Sequence, residues 1–334
     1  MPEATFGVLL LILAAIMNAN FTLPMKFTKK WAWENTWLAW TIFALLIFPP
    51  VMAYLTIPGL DDVYLQSGMG PVLLVAACGA GWGVAQVFFG LAVDSIGIAL
   101  AFSMILGISA AVGSLLALFT KHTDKIMSQS GAIVLAGVIL VIVGVAINAV
   151  AGRKREALLG TGPKNVSFAR GLLFCIISGL GAALVGLGVE WGDSIRKAAR
   201  FATAPEMWTP NAIWLPLMVA GAIPNLVYCI YLMRKNKTGN RFKEAGTGLY
   251  WLFAAIMALF WFASTLMYGI SAGKMGTLGG AVAWPLFMSL IVIVASVVGV
   301  LTGEWKGTGK GPVRIQLAGV AVLIAAVIVL SLAA

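Results

Sequence analysis

Long apolar runs alternate with short polar breaks along this chain, and the length of the runs sets the architecture. A helix rising 1.5 Å per residue needs about 20 apolar residues to cross a hydrocarbon core of about 30 Å. Runs of that kind fall near 4–24, 37–58, 71–93, 96–119, 130–151, 169–190, 212–233, 248–271, 276–302 and 313–333. Within them the apolar residues are continuous rather than alternating, which selects helices over barrel strands. The pattern predicts an all-α polytopic membrane protein with ten transmembrane helices.

Two of the runs carry one pattern 179 residues apart: Trp82, Gln86, Phe89-Gly90 and Gly97, then Trp261, Thr265, Tyr268-Gly269 and Gly276. A weaker echo repeats Gly7, Leu9 and Ile12 as Gly171, Leu173 and Ile176. Both point to a duplicated unit, with 1–152 as the first five-helix repeat, 153–168 as a cytoplasmic connector and 169–334 as the second repeat. Repeat-built hydrophobic chains are a signature of transporters whose site lies near the bilayer midplane.

Charge gives the orientation. Of the 22 Lys and Arg, sixteen fall in one set of alternate loops, led by Lys26 to Lys30, Arg153 to Arg170, Arg234 to Lys243 and Lys306 to Arg314. The other six are Lys121, Lys125, Arg196, Lys197, Arg200 and Lys274. The richer side is cytoplasmic, which places both termini in the periplasm. Five spans per half is odd, so the second repeat is inverted relative to the first.

Composition agrees: 61% of residues are hydrophobic and 10% charged, against roughly 25% charged in a soluble domain. The net charge of +10 raises nucleic acid as a partner, but the cations sit between spans, where topology and anionic lipid account for them, and no basic-aromatic face exists. The basic 153–170 connection reads as a topology determinant, with a lipid-headgroup patch as the competing reading. Cys78, Cys175 and Cys229 fall inside apolar runs as small hydrophobes. Met1-Pro2-Glu3 lacks a basic n-region, so the first run is kept as a span. The outer 191–211 connection suggests a short interfacial helix over Ser194 to Ala202.

The polar groups inside the spans are the candidate chemistry. Helical spacing puts Trp82, Gln86 and Phe89 on one face, and Trp261, Thr265 and Tyr268 on its counterpart. Aromatic rings with one polar handle suit the mixed faces of a sugar, and an amide both donates and accepts. A pseudo-twofold axis in the membrane plane would set these faces opposite each other across a cavity. The first span adds Asn18 and Asn20 ahead of Pro24, which would free the carbonyl of Asn20. The ninth offers Trp284 beside Pro285, which would free that of Ala281. The candidate binding set is therefore Asn18, Asn20, Trp82, Gln86, Phe89, Trp261, Thr265, Tyr268 and Trp284, with Pro24 and Pro285 bending helices. Against it stands plain packing: tryptophans filling helix contacts, and proline kinks satisfied by neighbours. The Gly79-Gly81-Gly83 cluster lacks a following Lys-Ser/Thr and reads as close helix packing rather than a phosphate loop.

No carboxylate falls at mid-membrane. Glu190 and Asp94, at the ends of their spans, are the proton-coupling candidates, while His122 stands in an outer loop. No metal-ligand cluster or cofactor motif is present in the sequence.

Several segments resemble the bacterial L-rhamnose–proton symporters of the drug/metabolite transporter superfamily: Pro24-Met25-Lys26, Lys29-Lys30-Trp31-Ala32-Trp33-Glu34 with Trp37, the block Gly79 to Gly97, Trp261 with Tyr268, and Gly303-Glu304-Trp305-Lys306 before Gly311-Pro312-Val313. The resemblance covers nearly the whole chain. It implies a five-plus-five inverted repeat and proton-driven uptake of a deoxyhexose across the bacterial inner membrane. The chain departs at Phe88, Ala263, Leu278-Gly279-Gly280 and Phe287, apolar where that family carries more polar groups, which implies either looser discrimination among substrates or a preference for a less hydroxylated one. The reading is a secondary transporter of a small sugar, as monomer or homodimer. Its alternatives are an exporter or exchanger of another metabolite and, in another class, a membrane-embedded enzyme or assembly protein.

Overall fold

The computed structural model describes residues 3–96, 98–160, 168–275, 279–303 and 305–332, excluding the side chains at 3, 4, 94, 98–100, 121 and 168. Gly97 and Gly276 of the repeated pattern, and Glu304, lie outside the described residues. The helices in chain order are α1 Glu3–Asn20, α2 Trp33–Thr41, α3 Phe48–Thr56, α4 Leu60–Ser67, α5 Met69–Ile96, α6 Ile98–Lys121, α7 Gln129–Leu159, α8 Phe168–Trp191, α9 Asp193–Phe201, α10 Asn211–Asn236, α11 Gly248–Lys274, α12 Gly279–Leu301 and α13 Lys310–Ser331. Among the described residues ten segments are long and apolar enough to cross a membrane, α2 and α3 forming one of them. The interfacial helix expected over 194–202 is α9.

Local chemistry explains where these helices start, stop and deform. The Ser128 hydroxyl accepts the Gly131 N–H at the start of α7, and Gly160, in the left-handed region at φ 64°, ends it. Both are favoured terminal choices. Between α2 and α3 the chain makes a π-helical turn, Ile42–Ile47, where the Phe48 N–H reaches back to the Phe43 carbonyl. Pro49 and Pro50 follow at once, and their rings would clash with the carbonyls of a regular α-turn; the wider turn absorbs them.

In-helix prolines free carbonyls that lipid cannot satisfy, and two of these carbonyls are taken by side chains. Pro285 lies inside α12, and the Ala281 carbonyl four residues back accepts the Ser114 hydroxyl of α6. Pro216 lies inside α10, and the Ala212 carbonyl accepts the Tyr64 hydroxyl at 2.9 Å. Pro24 behaves differently from expectation. Helix α1 already ends at Asn20, and Pro24 stands at the start of the short 3-10 helix Leu23–Phe27. A proline whose fixed φ suits a first turn starts the next element instead of bending the last.

The chain forms two compact units, one of residues Met1–Ile16, Ala85–Leu187 and Ser271–Ala334, the other of Met17–Val84 and Gly188–Ile270. Each draws on both halves of the sequence. In the first unit α13 packs along α7, and α12 along α6. Glycines permit the approach: a Cβ at Gly144 would strike Leu323, and one at Gly319 would strike Asn148. In the second unit α10 packs on α2 and α3. There a Cβ at Gly79 would strike the backbone of Leu217, and one at Gly83 that of Gly221, so this glycine cluster serves close packing of α5 on α10. Helices that correspond in a five-plus-five scheme thus partner one another: second with seventh in one unit, fourth with ninth and fifth with tenth in the other.

Candidate functional site

The polar and aromatic groups of the second unit converge on the paired tryptophans. Trp82 of α5 and Trp261 of α11 stack with centroids 5.6 Å apart and planes 15° from parallel. The expectation of two faces opposed across a cavity is corrected in one respect: in this state the rings lie directly on each other, with no sugar-wide gap between them. Stacked rings bury their faces and gain about 0.5–1.5 kcal/mol beyond the area term. Trp82 is buried and Trp261 half-buried, so Trp261 is the ring with surface still to offer.

The cluster extends to residues that sequence reasoning passed over. Trp40 of α2 meets Trp261 edge-on at 5.2 Å and Trp37 at 4.5 Å, and Phe21 lies 5.8 Å from Trp40. Trp33, Trp37 and Trp40 repeat at i, i+4 and i+7, the spacing that singled out Trp82, Gln86 and Phe89, so the signal was present. The Trp37 indole donates to Asn225 Oδ1 at 3.2 Å, and Asn225 Nδ2 to the Gly221 carbonyl at 3.0 Å.

Hydrogen bonds decide which groups remain open. Asn18 Nδ2 donates to Ser264 Oγ at 2.9 Å; Ser264 and Thr265 both donate to the Trp261 carbonyl, at 2.7 and 3.0 Å. The three side chains thus brace the α11 turn that carries Trp261. Asn18 Oδ1 is left as an acceptor. Trp40 Nε1 is a buried donor with no partner among the described residues. Leaving such a donor unpaired costs about 1–3 kcal/mol, so an open donor amid aromatic rings marks a place where a hydroxyl would be welcome.

The remaining candidates divide. Asn20 is half-buried just before the break in α1. Tyr268 is buried against Trp214, ring centroids 6.4 Å apart. Half-buried Glu190, in the last turn of α8, acts electrostatically on both the Tyr268 hydroxyl and Arg196 of α9. Sequence alone did not connect these three residues. In the first unit, half-buried Gln86 makes no hydrogen bond among the described residues. Phe89 packs edge-on against Phe102 at 5.8 Å and joins the cluster around Ala92, Ile105 and Cys175. Trp284 is buried and donates its N–H to the Ser109 carbonyl and hydroxyl, each at 3.1 Å. Phe89 and Trp284 are therefore engaged in packing. The Asp94 side chain lies outside the described residues.

The Lys-Trp-x-Trp-Glu segment folds into a latch. Trp31 is boxed edge-on by Phe242, Tyr250 and Trp251, at 5.0, 5.4 and 5.4 Å. The buried Glu34 carboxylate accepts Asn236 Nδ2 at 3.0 Å and the Thr238 hydroxyl at 2.7 Å. It ties the start of α2 to the connection after α10.

Ten apolar spans with buried amides and indoles define a multi-pass membrane protein. A profile of the family described as L-rhamnose-proton symport protein matches residues 2–334. The chain belongs to that family, which is one of transporters. It is 27% identical over 327 residues to the L-rhamnose-proton symporter of Mannheimia succiniciproducens, covering 96% of this chain and 95% of that protein. The L-rhamnose-proton symporters of Yersinia pestis (strain Pestoides F) and Yersinia pseudotuberculosis (serotype O:1b) show the same identity and coverage.

Proposed function

We propose that this chain takes up L-rhamnose, or a closely related deoxyhexose, together with a proton, by alternating access across the bacterial inner membrane with both termini periplasmic. It acts as a transporter and not as an enzyme. The observation that carries the site is the stacked Trp82–Trp261 pair: the two positions related by the 179-residue lag meet ring on ring, inside a cluster that keeps one buried donor and one acceptor open. L-Rhamnose has a methyl-bearing apolar patch for the Trp261 face and hydroxyls for Trp40 Nε1 and Asn18 Oδ1. Ser264, Thr265 and Trp37 position these groups; Gln86, in the first unit, is a separate candidate for the transport path. The pairwise packing of corresponding helices supports the five-plus-five inverted repeat. Glu190, in the last turn of α8, is the proposed proton carrier, because an ionisable group at membrane depth is a functional suspect by default.

The test is a thermal-shift and calorimetric series on the purified protein. L-Rhamnose should stabilise it and bind, and Trp261→Ala should lose the binding while retaining its helical content. Binding by the variant equal to that of the parent would reject this site. Failure of every deoxyhexose to bind the parent would turn the reading toward an exporter or exchanger of another metabolite.

A further inference from the structure

A groove remains that the transport reading does not use. It lies between the end of α7 and the start of α13, in the first unit, and is lined by Lys154, Ala157, Leu158, Gly311, Pro312 and Ile315, with a volume of about 380 Å³. Helix geometry explains the lining: 154, 157 and 158 share one face of α7, and 311, 312 and 315 one face of α13. Helix α7 has 31 residues, about 46 Å at 1.5 Å each, against a hydrocarbon core of about 30 Å. Its apolar run ends near 151, so the stretch from Arg153 to Leu159 overhangs into the headgroup layer.

The walls of the groove are apolar and its rim is cationic. Leu158 is 60% exposed, a large apolar side chain at the level where lipid meets water. Lys154 is the cation of the lining itself, and the first two turns of α13 add exposed Lys310 and Arg314 beside it. Arg155 lies 5.5 Å over the Trp305 ring, and tryptophan favours this depth. The carboxylate on this stretch of α7, Glu156, is buried and sits two residues from Lys154, about 200° around the helix, so it turns away from the rim. A zwitterionic headgroup would gain little here; a phosphate with net negative charge is what the rim complements.

We propose that this groove seats one anionic diacyl phospholipid, with an acyl chain against Ala157, Leu158, Pro312 and Ile315 and its phosphate between Lys154 and the start of α13. The site goes beyond the transport reading and does not depend on it. The apolar walls require the lipid rather than free phosphate, and the rim requires the charge.

Native mass spectrometry of the full chain in detergent, with phosphatidylglycerol or phosphatidylcholine of matched acyl chains, tests this. The chain should retain phosphatidylglycerol preferentially, and glycerol 3-phosphate should not displace it. Because these lysines are exposed, Lys154→Gln with Lys310→Gln should keep the fold by circular dichroism while weakening retention by up to roughly thirty-fold, from the electrostatic contribution of two cations. The charge-matched control Lys235→Gln with Lys243→Gln should bind as the parent does. Equal retention of phosphatidylcholine, displacement by glycerol 3-phosphate, or equal losses in the two double variants would each overturn the proposal.

Discussion

Trp40→Phe separates a substrate-facing donor from a packing residue, because the two roles predict different results. The substitution keeps a ring against Trp261 and Phe21 and deletes only the indole N–H and part of the ring. That N–H is buried without a partner, so removing it should relieve about 1–3 kcal/mol of desolvation cost. The smaller ring leaves a cavity costing about 1 kcal/mol. The net effect on thermal unfolding without sugar is therefore between no change and a gain of about 2 kcal/mol. With L-rhamnose the sign reverses: a neutral hydrogen bond worth about 0.5–1.5 kcal/mol is lost, weakening binding roughly two- to twelve-fold. Calorimetric titration with L-rhamnose reads the second effect and differential scanning the first. Unchanged or raised stability with weaker binding is the expected pair. Unchanged affinity would show that the Trp40 donor does not face the sugar.

Other consequences follow from single contacts. Gly83→Ala should destabilise the protein by about 1–3 kcal/mol in thermal unfolding, since the new methyl meets the Gly221 backbone and α5 must move off α10; a neutral result would contradict the close approach. Ser114→Ala should cost about 1–3 kcal/mol by leaving the Ala281 carbonyl, freed by Pro285, without its hydroxyl donor, and parent-like unfolding would show that the bond is dispensable. Glu190→Gln should abolish accumulation driven by a pH gradient while sparing sugar counterflow; equal loss of both, or of neither, would remove Glu190 as the proton carrier.

Much of the fold was legible because lipid allows few solutions. Run length alone placed the ten spans, and the lag between Trp82 and Trp261 pointed to two rings that the fold stacks on each other. The carbonyl freed by Pro285 was foreseeable from proline chemistry; its acceptance of Ser114, 167 residues away, was not. Two features escaped for the opposite reason. The π-turn before Pro49-Pro50 is a local response to strain, which hydropathy does not register. Helix α4, opened by Gly59 in the left-handed region and by Asp61 and Asp62, is too short for a span and too polar for an apolar run.

Within the candidate site, individual residues were legible and their partners were not. Asn18 was singled out, but its bond to Ser264 spans 246 positions, and no periodicity encodes that. Trp284 carried the same aromatic signal as Trp261, yet Gly113 and Gly186 make room for its ring and Ser109 takes its N–H. Whether a tryptophan in a span packs or binds depends on the small residues opposite it, which belong to other helices.

The most direct measurement is uptake of labelled L-rhamnose into proteoliposomes with an imposed, inside-alkaline pH gradient. The parent should accumulate the sugar above equilibrium and lose it on adding a protonophore, with Trp261→Ala and Gln86→Ala reconstituting normally but accumulating little. Gradient-independent equilibration by the parent, or full accumulation by both variants, would contradict the account.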